Sequence, residues 1–336
     1  MPKHFFTYRN PITLENGQVL PMTDVVYHTY GTLNSDKSNV VWFCHALTAS
    51  SDVASWWDSL VGEGKHYDPA HYFIICANII GSCYGSSGPL STDPATGNAY
   101  YSTFPRVTIR DMVKVHTALR NYLGLPKINT IMGGSMGGYQ VLEWVLAEPE
   151  VFGKMVLVAT GAQESAWGIA IHTAQRLAIE ADPTWKDMTA NAGQNGLKAA
   201  RAIGMLTYRN YGAFVKTQTD EEEKLDNFKA SSYIHYQGEK LVKRFNVYSY
   251  WLLGKAMDSH NIARGRGKLE DVLKTIRTKT LIIGISSDQL CPVNEQKIMA
   301  ENIPGAVFME IDSPYGHDGF LIEGKQIGDV ISRYSF

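Results

Sequence analysis

The residues best suited to covalent chemistry lie in Gly133-Gly134-Ser135-Met136-Gly137-Gly138, where Gly133 and Gly137 frame Ser135 as G-x-S-x-G. A β-forming run, 128–132, precedes it, and an apolar run at helical spacing, 139–146, follows. That order reads as strand, tight turn and helix with the serine at the apex. Neighbours without Cβ let strand and helix approach closely. The turn lifts the Ser135 hydroxyl off the sheet. It also aims the Met136 amide, helped by the positive end of the new helix, at whatever the serine attacks. An idle serine in a glycine-rich turn is the plainer alternative, but the flanking strand and helix favour a nucleophile.

A serine hydroxyl needs a base to take its proton, and the base needs a third group to fix its tautomer. The run 280–285 leads into Ser286-Ser287-Asp288, and the run 306–311 leads into a loop that carries His317. Sites in open α/β sheets gather outside the carboxyl ends of strands. Ser135, Asp288 and His317 sit there in the chain order of an α/β hydrolase. Asp312 is the rival acid; Asp288 is preferred because it follows its strand directly. Of the ten histidines, His4, His66, His71, His116, His172, His235 and His260 read as surface or packing residues in helical or loop contexts. His28 falls in an entry strand, and His45 shapes the loop His45-Ala46-Leu47-Thr48. The Leu47 amide of that loop is the candidate second oxyanion donor, paired with Met136.

The elements that must position these groups alternate. Residues 24–30 form an antiparallel entry strand, and 39–48 and 72–78 are apolar runs of the kind buried on both faces of a sheet. A long glycine-rich loop, 81–105, borders the expected site. Thr108 caps an amphipathic helix that Gly124 and Pro126 stop. Residues 154–160 are another strand. From about 162 to 268 the strand rhythm is lost: the segment reads as helical, with 220–224 as a solvated helical face. Strands return at 280–285 and 306–311, and a closing helix runs over about 318–333. The fold class is therefore α/β, with a mostly parallel central sheet. Its core spans residues 1–162 and 269–336, and a helical cap spans 163–268.

The bulk numbers agree. The 336 residues are 44% hydrophobic and 19% charged, which suits a soluble protein with a large core. The net charge of -2 shows no basic surplus, so nucleic acid is not the expected partner. Cys44, Cys76, Cys83 and Cys291 are too dispersed for a disulfide scaffold, and none forms C-x-x-C, so no metal site is expected. The opening residues 1–5 contain no apolar leader, and no run is long enough to span a bilayer, so a cytoplasmic location is expected.

Several segments taken together resemble the homoserine O-acetyltransferase family of α/β hydrolases. They include Cys44-His45-Ala46-Leu47-Thr48, Gly81-Ser82-Cys83-Tyr84-Gly85, Asp93-Pro94-Ala95-Thr96-Gly97, the Ser135 turn with Leu142-Glu143-Trp144, and Gln175-Arg176-Leu177-Ala178-Ile179 with Asp182-Pro183. Thr207-Tyr208-Arg209, Ala263-Arg264-Gly265-Arg266-Gly267, Ser287-Asp288 and Gly316-His317-Asp318 continue the series over nearly the whole chain. The resemblance implies a helical cap over the core, and a triad on Ser135, Asp288 and His317. It implies homoserine recognition by Arg201, Tyr208 and Asp318, because a guanidinium suits the substrate carboxylate and a carboxylate suits its ammonium. It also implies acetyl-CoA as co-substrate with no bound cofactor, and a homodimer formed through the cap. The motifs leave open succinyl-CoA as donor, and serine or water as acceptor. A non-catalytic binder on the same fold is disfavoured by the intact Ser-Asp-His set.

Overall fold

The computed structural model describes residues 3–334. Met1 and Pro2, part of the opening segment 1–5, lie outside the described residues, as do the last two. Eight strands form the main sheet: β1 (Lys3–Tyr8), β4 (Thr23–Tyr30), β5 (Val40–Cys44), β6 (Phe73–Ala77), β7 (Ile128–Gly134), β8 (Phe152–Val158), β9 (Lys279–Ile285) and β10 (Val307–Ile311). A small hairpin, β2 (Ile12–Thr13) and β3 (Val19–Leu20), stands apart. The order across the main sheet is β1-β4-β6-β5-β7-β8-β9-β10. The β1–β4 and β4–β6 pairs are antiparallel, and the rest are parallel.

Alternation along the central strands divides the core. Val40, Trp42 and Cys44 pack on one face of the sheet, and Val41 and Phe43 on the other. Both faces are covered, as near-continuous apolar strands require. Helix Ile109–Tyr122 begins at Thr108, which forms a reciprocal capping box with Asp111.

Between β8 and β9 run five helices of eight residues or more, Ala166–Glu180, Gln194–Tyr208, Tyr211–Gln218, Lys229–Val242 and Val247–Asp258. The run 220–224 is not helical. Asp220 accepts from the Lys229 amide and pairs with Lys224, in an exposed loop between two of the helices. With three successive glutamates and no apolar stripe, the segment has no face to bury.

The closing helix is likewise broken, into a turn at Gly316–Asp318 and helices Gly319–Ile322 and Gly324–Arg333. The Trp57 indole donates to the Phe320 carbonyl and the Ser59 hydroxyl to the Leu321 carbonyl, at 2.9 and 3.2 Å. Those carbonyls would otherwise belong to a continuous helix. His4 also departs from the expected loop or helix: it lies in β1 and bonds the Thr29 hydroxyl at 2.9 Å.

Candidate active site

Ser135 heads helix Met136–Ala147 with φ 55° and ψ -129°, a left-handed-side conformation that a side-chain-bearing residue adopts only under local constraint. The glycines around it explain the constraint. A Cβ on Gly137 would lie 2.2 Å from the Cys44 carbonyl oxygen, and one on Gly133 would lie 2.4 Å from the Gly137 carbonyl. The turn is thus pressed against the end of β5, where the loop of Leu47 begins. Gln140, one turn into the helix, ties the two segments together. Its amide donates to the His45 and Met136 carbonyls at 3.0 and 3.2 Å.

His45 is wholly buried, and burial lowers its pKa to about 4, so the ring is neutral. It accepts from the Ile79 amide through Nε2 and donates to the Ala46 carbonyl through Nδ1, which fixes the course of the loop. Leu47 lines the cavity below, and the Met136 amide sits at a helix start, where backbone N–H groups have no intrahelical acceptor.

The three strand-end side chains converge. The Ser135 hydroxyl donates to His317 Nε2 at 2.9 Å, and His317 Nδ1–H donates to Asp288 Oδ2 at 2.7 Å. Asp288 Oδ1 accepts the Leu290 and Cys291 amides at 2.8 and 2.9 Å, so the carboxylate cannot rotate freely. Asp312, the rival acid, instead accepts from the Ser286 hydroxyl. Burial pushes the His317 pKa down, but the charge and hydrogen bond of Asp288 outweigh it, and the net shift is upward. Asp288, Cys291 and His317 bring O, S and N atoms within 4.8 Å of one another. Burial holds the Cys291 thiol protonated, however, and the Asp288 oxygens are already engaged, so the donor set suits a proton relay rather than a cation.

A cavity of about 530 Å³ opens over Ser135. Arg201 and Tyr208, both on helix Gln194–Tyr208, line it, as do His317 and Asp318. The Arg201 guanidinium lies 5.3 Å from the Tyr208 ring centre, and that ring lies 6.0 Å from the His317 ring. Arg201 Nε is buried and lacks a hydrogen-bond partner among the described residues. Asp318 does not use its side chain to cap the helix that follows; it is paired with Arg209 Nε at 3.0 Å. Burial raises the Asp318 pKa, with Arg209 acting in the opposite direction.

Some lining groups were not anticipated. His172, expected as surface or packing, is buried on the cavity wall between Asp258, at 3.1 Å, and Glu164, at 3.9 Å. Glu164 accepts from the Tyr139 hydroxyl at 3.0 Å, and burial raises its pKa. Glu164 follows the end of β8, so the strand-end argument that selected Asp288 could have found it. His172 and Arg209 carried no such signal, because their partners come from other segments.

A family model for the alpha/beta hydrolase fold matches residues 39–323. A homoserine O-acetyltransferase from Cyclobacterium marinum is 45% identical over 99% of this chain and 95% of its own length. The crystal structure of a homoserine O-acetyltransferase from Bacillus anthracis superposes with a TM-score of 0.91 at 25% identity, covering 98% of this chain and 96% of that one. Esterase E22 superposes with a TM-score of 0.91 at 24% identity, over 99% of each chain, a likeness of fold. By sequence over its full length and by the fold that carries its Ser-His-Asp constellation, the chain belongs to the homoserine O-acetyltransferase family of α/β hydrolases.

Proposed function

We propose that the protein transfers an acetyl group from acetyl-CoA to the hydroxyl of L-homoserine through an acetyl-Ser135 intermediate. The observation that carries this is the hydrogen-bonded relay from Ser135 through His317 to Asp288, set beneath a cavity that offers the Arg201 guanidinium and the Asp318 carboxylate. His317 Nε2 takes the Ser135 proton as Oγ attacks the thioester carbonyl. The Leu47 and Met136 amides receive the oxyanion; loss of one such donor costs about 10²–10³ in rate. CoA departs as the thiol with the proton from His317. Homoserine then enters, its carboxylate on Arg201 and Tyr208 and its ammonium on Asp318. His317 takes its hydroxyl proton, the oxygen attacks the acetyl carbon, and Ser135 leaves with that proton.

Residues 163–268 act in this reading as a cap that narrows access to Ser135 and favours homoserine over water. We also propose a homodimer through the cap, supported by the exposed side chains of Leu206, Tyr211 and Tyr236; solution mass tests it. A cytoplasmic location is supported by the buried free thiols of Cys44, Cys76 and Cys291. No described helix is long and apolar enough to cross a membrane. The deciding assay follows CoA release with acetyl- and succinyl-CoA against homoserine, serine and water. Fastest release with acetyl-CoA and homoserine supports the proposal; equal rates with water alone would replace it by ester hydrolysis.

A further inference from the structure

Nearly every residue lining the cavity is buried or half-buried; only Ser55, Lys240 and Arg244 are exposed, so these three mark its mouth. Lys240 lies in the last turn of helix Lys229–Val242, and Arg244 follows in the turn after it, where its amide donates to the Leu241 carbonyl. The two cations are four residues apart in sequence, and both line the opening.

Neither is neutralised. Among the described residues, Lys240 enters no ion pair. Arg244 bonds only uncharged oxygens, the Thr48 carbonyl and hydroxyl and the Tyr84 hydroxyl. The nearest acid in sequence, Glu239, is taken by Lys198 at 2.6 Å. The carboxylates that line the cavity, Glu164 and Asp318, are withdrawn from solvent and engaged with Tyr139 and Arg209. The charged groups among the exposed residues at the entrance are thus both cations, and the interior is mixed. Two unpaired positive charges at the rim of a reactive cavity raise the local concentration of anions and favour an anionic end group left outside.

We propose that Lys240 and Arg244 form a phosphate-binding rim that holds the nucleotide end of the acyl-CoA donor, while the slender pantetheine arm carries the thioester down to Ser135. This rests on the acyl-CoA reading above. Arg244 has a second effect. By bonding Thr48 it ties the rim to the loop that carries Leu47, so the rim and the oxyanion loop are mechanically joined.

The test compares acetyl-CoA with S-acetyl-N-acetylcysteamine, a thioester that keeps the reactive end and lacks every phosphate. Lys240→Ala and Lys240→Glu are the main variants, because Lys240 is exposed and, among the described residues, enters no ion pair. For Lys240→Ala, kcat/KM with acetyl-CoA should fall about tenfold, as expected for an exposed charge-assisted contact, and Lys240→Glu should lose more. The loss should appear in KM, weaken with added salt, and be absent with the short thioester. Arg244→Ala should lower activity with both donors, because it also frees the oxyanion loop. If the Lys240 variants lose activity equally with both donors, or with neither, the rim is refuted while the acyl-CoA reading stands. A wild type that turns over the short thioester and ignores acetyl-CoA refutes the donor reading and the rim together.

Discussion

Asp288→Asn separates the roles of charge and geometry in the relay. Asp288 Oδ1 is committed to two backbone amides, Leu290 at 2.8 Å and Cys291 at 2.9 Å. An asparagine must keep its carbonyl oxygen there, because an NH₂ facing two N–H donors would leave all of them unpaired. Its NH₂ then takes the place of Oδ2, 2.7 Å from His317 Nδ1. Nδ1 must accept, so the proton moves to Nε2 and faces the Ser135 hydroxyl, which loses its base. A serine relay with the wrong tautomer loses about 10⁴ in rate, equivalent to about 5 kcal/mol of transition-state stabilisation.

The pH profile provides an independent reading. His317 acts as base only when neutral, so activity is present above its pKa and lost as pH falls through it. Asp288 holds that pKa above the ordinary value of 6.5 against the downward pull of burial. The wild-type acid limb in kcat/KM should therefore have its midpoint above 6.5, and the residual activity of Asp288→Asn should have a midpoint at lower pH. Steady-state CoA release across pH measures both, with thermal unfolding as the folding control. A folded Asp288→Asn within tenfold of wild type would refute the tautomer argument.

Arg201→Ala should raise KM for homoserine by about 10–100-fold, and Arg201→Lys should recover only part, since a single ammonium cannot hold a carboxylate in two-point fashion; initial rates at varied homoserine read both. Gly137→Ala places a methyl 2.2 Å from the Cys44 carbonyl oxygen, so the variant should lose about 3 kcal/mol or more of stability, seen in chemical denaturation. Glu164→Gln keeps an acceptor for the Tyr139 hydroxyl but removes a negative charge that helps to raise the His317 pKa. Its acid limb should move to lower pH by less than that of Asp288→Asn.

The relay was legible because each of its members follows a β-strand. Apolar runs announce strands, and the residue types just beyond them are few. Arg201 and Tyr208 stand out by resemblance alone, since nothing in the helix 194–208 singles them out by periodicity. The unanticipated groups share one feature: their meaning depends on a contact remote in sequence. Arg209 acquires a role only once it meets Asp318, and His172 only between Glu164 and Asp258. From sequence alone the closing helix reads as continuous, because its local pattern is helical. It breaks where Trp57 and Ser59 capture two of its carbonyls, a competition from more than 250 residues away that no local signal carries.

The central claim is that Ser135 carries the acetyl group between donor and acceptor. Intact-mass and peptide mass spectrometry after brief mixing with acetyl-CoA, in the absence of homoserine, tests it most directly. One acetyl group on the peptide containing Ser135, discharged on adding homoserine and missing in Ser135→Ala, is the predicted result. Acetyl-CoA turnover by Ser135→Ala at the wild-type rate, or homoserine acetylation with no acetyl ever found on Ser135, would contradict it.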